Sequence, residues 1–372
     1  MNSIEMSIRN RMKRFRRFYY MYREWKRLQQ SRKQLWKEAV EKFNEEHPTH
    51  GTLADYKRAL YRHRVSYNEY MKCYEFWKLD EKHRDEFISD NEMRCIYRKT
   101  VQLDFDNLCR DKASLFTKFN AYIHRKWVHS GLSVEVLKDF VSSTDCVGKP
   151  VMGSLGLGVF LIQKDESHNW QELYDYCCKN DILIEERVRA CKEMEEFHPQ
   201  SLNTIRVFTI SKNGRCEIIA SEFRVGIGGS MVDNASAGGI VAPIDLETGT
   251  IIGDGADKAG KKYKIHPDTG KAFRGFVIPQ WQKVVSACKE MSSVIPEIIF
   301  AGWDICVLPS GDVEMMEVNS YPNVSGLQTA YQKGLKPKLR TIGKEVLGYD
   351  PVKLISVWSK SYVKYKGIYG RY

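Results

Sequence analysis

The chain has 372 residues, of which 42% are hydrophobic and 12% aromatic, and a formal net charge of +11. This length allows a large core and two or three domains, and the composition is typical of a globular protein. No apolar run approaches the roughly 20 residues that are needed to span a bilayer, and the ten cysteines include no CxxC pair. The sequence therefore argues against a transmembrane segment, a zinc site and a disulfide framework, and it indicates a protein of the reducing cytoplasm.

Positive charge is concentrated at the start of the chain. Residues 1–35 contain eleven Lys or Arg against two Glu, so nine of the eleven excess charges lie there. Apolar residues recur in this segment at helical spacing, which predicts a basic amphipathic helix. Such a helix can dock on the rest of the protein or on a partner helix, or lie on an anionic membrane as a peripheral contact at its inner face. Binding to nucleic acid is the least favoured of these interpretations.

Residues 34–95 continue the helical pattern with charged and aromatic residues, and Thr52 is placed to cap a helix that begins near Leu53. No chemistry is indicated here, so residues 1–93 are predicted to form a helical N-terminal region. Beyond it, the pattern predicts a strand at 94–103, a short helix at 112–119 and a strand at 126–129. Lys112 follows Asp111 at the N-terminus of the short helix.

Residues 146–162 read as an apolar strand, a glycine-rich loop and a second apolar strand. Gly153, Gly156 and Gly158 allow backbone N–H groups to approach an anion, and Lys149 at the strand end supplies a positive charge. The segment is neither a Walker loop nor a Rossmann fingerprint, because a strand rather than a helix follows the glycines. It is either a flap that covers phosphates or a plain glycine-rich hairpin turn.

The middle of the chain alternates predicted strands with two long loops. A helix at 170–179 precedes a strand at 182–188, and strands at 201–211 and 216–225 are joined by Asn213-Gly214, a strong hairpin turn. The glycine-rich loop 226–239 is long enough to reach an active site. The remaining predictions here are strands in 241–252, a polar loop at 258–275 and a helix at 279–294.

Residues 300–323 predict a β-hairpin, followed by a helix at 327–347. Along its second strand, Glu317 and Asn319 point to one face, and Asp304 on the first strand lies opposite them once the hairpin closes. Carboxylate and amide oxygens of this kind suit Mg²⁺. The alternative is a polar hairpin end with solvated acids.

The order of these motifs resembles the ATP-grasp superfamily over residues 94–347: Asp-Lys, the Lys-Pro flap, Glu-Glu, an Arg in a strand, Asn near Gly-Gly, and Asp followed by Glu-x-Asn. Five segments look like the branch called sugar-transfer-associated ATP-grasp, which is found with polysaccharide biosynthesis: SLNTIR, GGIVAPID, HPDTG, GWDI and EVNSYPN. The resemblance implies an α+β fold, with two α+β subdomains that grip ATP between antiparallel sheets. It places this domain at 94–350 and a C-terminal tail at 351–372.

The resemblance also implies roles for individual residues. The positions that match ATP-binding residues are Lys112 and Lys149 for the phosphates, Ser154, Leu155 and Gly156 in the flap backbone, and Glu185, Glu186 and Val188 at the adenine. The positions that match catalytic residues are Arg206 at the transferred phosphate, and Arg224 and Asn234 at an acyl phosphate. Asp304, Glu317 and Asn319 match the magnesium ligands, with Glu317 bridging two ions. The ribose ligand stays open among Glu193, Glu195, Glu196 and His198.

The function that the resemblance implies is an ATP-dependent ligase that joins a carboxylate to an amine through an acyl phosphate. The acid is expected to be a sugar acid or an amino acid in surface-polysaccharide assembly, with a nucleotide sugar or a lipid-linked sugar as a further candidate partner. No protein nucleophile is needed, which agrees with the lack of a Ser/His/Asp or Cys/His arrangement. Two alternatives stay open: a kinase-like phosphoryl transfer to a sugar, and a non-catalytic nucleotide-binding scaffold.

Overall fold

The structure is a computed structural model that describes residues 3–129, 132–153, 157–164, 168–233, 238–295 and 297–355. In the first helix, side chains are described for Tyr22 and from Trp25 onward. No helix in these parts of the chain combines the length and the apolar character that crossing a bilayer requires.

The N-terminal region is helical, as predicted, with α1 (Ser3–Glu46), α2 (Leu53–His63), α3 (Glu81–Arg84) and α4 (Asp90–Thr100). Thr52 caps α2 by accepting a hydrogen bond from the backbone N–H of Asp55. Leu28 and Ala39 of α1 are buried against α2 in an aromatic cluster that includes Tyr56. The second half of α1 is thus docked on the protein.

Residues 94–103 were predicted as a strand, and that prediction is wrong, because α4 runs through most of them. Ser89 and Glu92 form a capping box at the start of this helix, in which each side chain accepts from the other's backbone N–H. Met93 and Ile96 then lie on one buried face at helical spacing. Two further short helices follow, α5 (Leu103–Arg110) and α6 (Lys112–Lys118).

A four-stranded antiparallel sheet carries the predicted flap. Its strands lie in the order β1–β4–β2–β3. Their bounds are β1 (Trp127–Val128), β2 (Cys146–Pro150), β3 (Phe160–Ile162) and β4 (Ile182–Glu186). Two helices, α7 (Val134–Ser143) and α8 (Trp170–Lys179), pack against it through a small apolar core of their own. This sheet and its helices form one subdomain.

A seven-stranded antiparallel sheet forms the second subdomain, in the order β11–β10–β5–β6–β7–β8–β9. Its strands, with the short helix α9 (Lys192–Glu195) before them, are β5 (Thr204–Lys212), β6 (Arg215–Val225), β7 (Ile240–Pro243), β8 (Gly255–Ala256), β9 (Lys262–Tyr263), β10 (Phe300–Val307) and β11 (Val313–Asn319). Asn213 and Gly214 both have positive φ, +52° and +78°, as the predicted two-residue hairpin turn requires. Strand β9 lies inside the stretch predicted as a loop.

Helices cover both faces of this larger sheet. One face packs on α10 (Trp281–Val294), through residues such as Ile205 and Val207. The other packs on α4 and on α12 (Lys336–Leu347), through Phe208 and Ile210. The helix predicted at 327–347 is two helices, because Gln332 adopts a left-handed conformation between α11 (Ser325–Tyr331) and α12. Arg206 lies two residues before Phe208 on β5 and therefore shares the face of Phe208 and Ile210.

Candidate active site

A cleft separates the two sheets, with a cavity of about 200 Å³. Lys149 and Glu185 line it from the smaller sheet, Lys112 from the start of α6, and Asp304 and Glu317 from the larger sheet. The sequence motifs that lie far apart along the chain thus converge on one space. Four of the predicted site residues, Ser154, Leu155, Gly156 and Asn234, lie outside the described residues.

Two lysines bring positive charge to the smaller sheet's side of the cleft. Lys112, at the start of α6, donates from Nζ to the carbonyl oxygens of Pro150 at 2.9 Å and Gly153 at 3.2 Å. Lys149, near the end of β2, forms an ion pair with Glu185. Burial lowers the pKa of Lys112, and the charge of Lys149 lowers it further. The two ammonium groups line one cleft, where together they would stabilise a bound anion.

Sequence reasoning missed the buried arginine that joins the two sheets. Arg125 donates to Glu185 on β4 at 3.0 Å and to the carbonyl of Met315 on β11 at 3.0 Å, and it pairs with Glu314 on β11. All three charged residues are at most 6% exposed. Burial opposes ionisation of Glu185, but the charges of Arg125 and Lys149 outweigh it and lower the pKa of this carboxyl.

The Glu185 carboxylate is therefore held by two cations. It also lines the cleft, and its predicted place at the adenine stays a prediction. Glu186 lies outside the lining of the cleft, and its carboxylate accepts from the backbone N–H of Lys126 at 2.8 Å. Val188, in contrast, lines the cleft. Of the three predicted hinge residues, Glu185 and Val188 therefore line the cleft and Glu186 does not.

Of the four residues left open for the ribose, Glu195 lines the cleft. Its carboxylate accepts from Arg189 at 2.9 Å in a solvent-accessible pair. Glu196 instead pairs with Lys271. The buried His198 contacts Ser201 Oγ at 2.9 Å and the Gly228 carbonyl at 2.7 Å. The structure thus singles out Glu195 by position.

On the larger sheet, four ionisable residues stand in one row across four strands. Glu222 on β6 pairs in register with Arg206 on β5, which pairs with Asp304 on β10, which pairs with Glu317 on β11. Residues directly opposite each other in antiparallel strands project from the same face. Along this row the sign of the charge alternates from Glu222 to Asp304, and it is the same at Asp304 and Glu317. These last two residues line the cleft.

The centre of this row is tightly bonded. Arg206 binds Asp304 through two parallel hydrogen bonds of 2.6 Å, and Arg224 adds a third at 2.9 Å. Burial raises the pKa of Asp304, but the charges of Arg206 and Arg224 outweigh that effect and hold it below its usual range. Asp304 is thus a stable anion without any metal.

Glu317 is in the opposite situation. Burial raises its pKa, the like charge of Asp304 raises it further, and the charges of Arg206, Arg224 and Lys112 offset only part of this. None of the described hydrogen bonds or ion pairs involves its carboxylate. A partly buried carboxylate beside a second one, with no described cation bound to it, is a place where an added cation is favourable.

The donor set fits a hard divalent ion. Asp304, Glu317 and Asn319 offer only oxygen ligands, and Asn319 Nδ2 lies 3.5 Å from Asp304, so the amide is adjacent to the carboxylates. Among the described residues, no group of three or more His, Cys, Asp or Glu is arranged to hold a metal. A metal ion held here would have two carboxylate ligands and one amide ligand, and its other coordination positions would be open to phosphate oxygens.

A β-bulge shapes strand β11. The register between β10 and β11 shifts after Asp304, so Met316 is an extra residue on β11. Strict alternation would put Met316 and Glu317 on opposite faces, but both line the cleft. Glu317 and Asn319 lie on either side of the buried Val318, as expected for two residues that share the opposite face. The bulge, in contrast, was not predicted from the sequence.

Two buried acids near Arg224 were also missed. Glu222 has a carboxylate oxygen, Oε2, without a hydrogen-bond partner among the described residues, and burial raises its pKa to about 7 despite Arg206 and Arg224 nearby. Asp233 lines the cleft, accepts from the backbone N–H of Thr204 at 2.8 Å and lies 3.8 Å from Arg224. The signal for Glu222 was its spacing of two from Arg224, which places both on one strand face.

Three comparisons bear on this arrangement. No curated protein sequence matches the chain. Among solved structures, it resembles N5-carboxyaminoimidazole ribonucleotide synthetase in an ADP complex, with a TM-score of 0.38 and 10% identity over 62% of this chain and 52% of that one. It also resembles the ATP-grasp ligase PsnB complexed with minimal precursor, Mg and ADP, with a TM-score of 0.40 and 11% identity over 68% and 62%.

A third similar structure is D-alanine-D-alanine ligase from Coxiella burnetii, with a TM-score of 0.36 and 10% identity over 67% of this chain and 57% of that one. The chain thus spans between 52% and 62% of the length of these three proteins. The family comparison is more extensive. The family described as sugar-transfer associated ATP-grasp matches residues 91–344, which include both sheets and every residue placed in the cleft, and the chain therefore belongs to the sugar-transfer associated ATP-grasp family.

Proposed function

We propose that the protein is an ATP-dependent ligase that joins a carboxylate to an amine through an acyl phosphate. The observation that carries this proposal is the convergence of Lys112 on α6 and Lys149 on the smaller sheet with Asp304 and Glu317 on the larger sheet at a single cleft. Two anionic reactants, ATP and a carboxylate, can meet only where cations neutralise their charge. The cleft supplies that charge from both sides, with Arg206 fixed behind Asp304.

The cleft walls suggest how the nucleotide lies. Val188, Leu161 and Met316 give an apolar part of the lining that suits adenine, and Glu195 is positioned to accept from the ribose hydroxyls. Lys112 and Lys149 then face the phosphates. We assign Ser154, Leu155 and Gly156 to the flap that covers them, and Arg224 and Asn234 to the acyl phosphate, on the family resemblance alone.

Asp304, Glu317 and Asn319 are the residues that would hold Mg²⁺. The reason is that no described hydrogen bond or ion pair involves the Glu317 carboxylate. When bound there, one or two Mg²⁺ ions would neutralise negative charge that develops on the transferred phosphate. Arg206 and Arg224 orient the Asp304 carboxylate and remain beside it as fixed positive charges. These arginines thus position a ligand and also present charge to the reacting phosphate.

The proposed reaction has two steps. A carboxylate oxygen of the acid attacks the γ-phosphorus of ATP, the bond to the β–γ bridging oxygen breaks, and ADP leaves. The amine nitrogen then attacks the acyl carbon, the bond to the phosphate oxygen breaks, inorganic phosphate leaves, and the amine gives up one proton to solvent. Because water would destroy the acyl phosphate, the narrow cleft between the two sheets serves to exclude it.

We infer that the acid is a sugar acid or an amino acid of surface-polysaccharide assembly, and that the protein acts in the cytoplasm. The family to which the chain belongs supports the first part. The excess of positive charge in residues 1–35 supports a peripheral contact with an anionic membrane, where a lipid-linked sugar would be met. Liposome co-sedimentation at low salt, with neutral vesicles as the control, tests that contact.

The ligase proposal is tested by measuring ADP release from Mg-ATP with a panel of sugar acids, amino acids and amines, followed by mass spectrometry of the product. We expect ADP release that requires both an acid and an amine, and a product mass equal to their sum less one water. Arg206→Met is expected to abolish release, whereas Arg215→Met, at an exposed position on the neighbouring strand, leaves it unchanged. A phosphate ester formed without an amine would show the kinase reaction instead, and bound ATP with no turnover would show a scaffold.

A further inference from the structure

A second, smaller pocket lies just beyond the metal-ligand strand, and it belongs to no part of the nucleotide cleft. It has a volume of about 300 Å³, and it is formed where α4, the end of α5 and the loop after β11 meet. Its polar and aromatic lining residues are Asp90, Arg94, Arg98, Arg110, Tyr321 and Asn323. We refer to it as the arginine pocket.

Two of the three arginines of this pocket form no ion pair among the described residues. Arg94 and Arg98 are four residues apart on α4, so both project from one helix face, and both are exposed. Arg110, in contrast, pairs with Asp106 at 3.2 Å. Asp90 lies in the same pocket, within range of the charge of Arg94. Two exposed guanidinium groups that no described carboxylate binds directly are suited to an anionic ligand, which they can bind in a bidentate manner.

Two more residues shape the pocket, Asp90 and Tyr321. Asp90 accepts from Asn323 Nδ2 at 2.5 Å through Oδ2, which fixes the loop after β11 against α4. Its Oδ1 is buried below the surface, so a ligand in the pocket does not reach it. Tyr321 is 42% exposed at the pocket mouth and is held edge-to-face by the buried Tyr97, with ring centroids 5.7 Å apart. A fixed, exposed aromatic face offers a surface for a ring to stack on.

The pocket is connected to the proposed reaction centre. Its loop begins at Ser320, directly after the ligand residue Asn319, and Ser320 donates to Asp106 on α5 at 2.5 Å. Tyr97 donates to the carbonyl of Pro322 at 2.7 Å, and Pro322 packs over Gly302, which pairs in register with Asn319. A molecule in the arginine pocket would therefore be separated from the metal-ligand end of the cleft by a single short loop.

We propose that the arginine pocket binds an anionic sugar, which is the acceptor or donor substrate of the reaction. Arg94 and Arg98 bind its phosphate or carboxylate, and its ring stacks on Tyr321. As a substrate site, this inference rests on the proposed ligase function. As a binding site, it stands on the pocket itself.

The test is calorimetric titration of the full chain, without ATP, with glucose 1-phosphate, glucuronate, glucose and inorganic phosphate. We expect one or both anionic sugars to bind more tightly than glucose and than phosphate. A preference for glucose 1-phosphate identifies a phosphosugar, and a preference for glucuronate a sugar acid. Equal binding of glucose and the two anionic sugars overturns the proposal.

Variants locate the binding. The double variant Arg94→Gln with Arg98→Gln is expected to raise the dissociation constant at least about tenfold, because each lost charged hydrogen bond is a large fraction of such a binding energy. Lys37→Gln with Arg58→Gln removes the same charge from exposed positions on α1 and α2 and is expected to change nothing. Tyr321→Ala is a second, independent weakening variant. Unaltered binding in both the double variant and Tyr321→Ala overturns the proposal.

One further measurement separates the two proposals. Wild-type ADP release with every acid and amine, and ATP binding by each variant, are recorded alongside the titrations. If sugar binding depends on Arg94 and Arg98 but no ADP is released, the ligase function fails and the pocket stands as a binding site. If ADP is released at a rate that the double variant leaves unchanged at low substrate, the pocket fails and the ligase function stands.

Discussion

Arg125 provides a severe test of how the two subdomains are held together. Replacing it by Met keeps most of its volume but removes the only cation bound to Glu314 among the described residues and one of two bound to Glu185. Glu314 is 0% and Glu185 2% exposed, so neither can recover its hydration. Breaking a buried ion pair from one side costs about 3–5 kcal/mol. We expect Arg125→Met to lose about that much unfolding free energy.

Equilibrium urea unfolding, followed by tryptophan fluorescence, measures this loss. Adding Glu314→Gln to Arg125→Met removes the stranded charge and is expected to restore about 1–3 kcal/mol. Arg58→Met, at a side chain that is 72% exposed, is the control and should stay within about 0.5 kcal/mol of the wild type. The reasoning is refuted if Arg125→Met costs less than about 1 kcal/mol, or if Glu314→Gln brings no recovery.

Three further predictions concern the cleft and its support. The pKa of Glu222 is about 7 in the folded chain against an ordinary 4.5, so the native state keeps this proton to a higher pH than the unfolded state does, and stability falls as pH rises through 7. Between pH 5 and pH 8, the unfolding free energy of Glu222→Gln in urea titrations should therefore rise relative to that of the wild type by on the order of 3 kcal/mol. Lys149→Met should weaken ATP binding about tenfold by calorimetry, by removing a charged phosphate contact and freeing Glu185; unchanged affinity would remove Lys149 from the site. Gly302→Ala would place its Cβ 2.6 Å from Pro322 Cβ, so we expect a loss of about 1–3 kcal/mol in thermal unfolding.

Features that arise from local sequence were predictable. The hairpin from 300 to 319, the Asn213-Gly214 turn and the strand–glycine–strand order of the flap all follow from residues within a few positions of one another. The helix α4 was missed although its signal was also local. Ser89 and Glu92 form a capping box three residues apart, and the apolar residues after them are spaced for a helix rather than a strand.

The site was predictable in its residue types and not in its bonds. Lys149, Asp304 and Glu317 stood out as charged residues beside apolar strands, which is a local observation. That Arg125 would bind Glu185 and Glu314 was not accessible, because those partners are 60 and 189 residues away along the chain. Their meeting depends on how two sheets pack, and no spacing within one segment encodes that.

The extra residue at Met316 has a consequence for how this protein tolerates change. The side-chain period of a strand is two, so the chain between the hairpin turn at 309–312 and the ligand positions sets which face those positions occupy. An insertion or deletion of one residue anywhere in that stretch would turn the Glu317 carboxylate away from Asp304 and toward the face on which Val318 is now buried. The number of residues between the hairpin turn and Glu317 is thus as important for the chemistry as the acidic residues themselves. We expect members of the family to differ here in the type of residue and not in the number of residues.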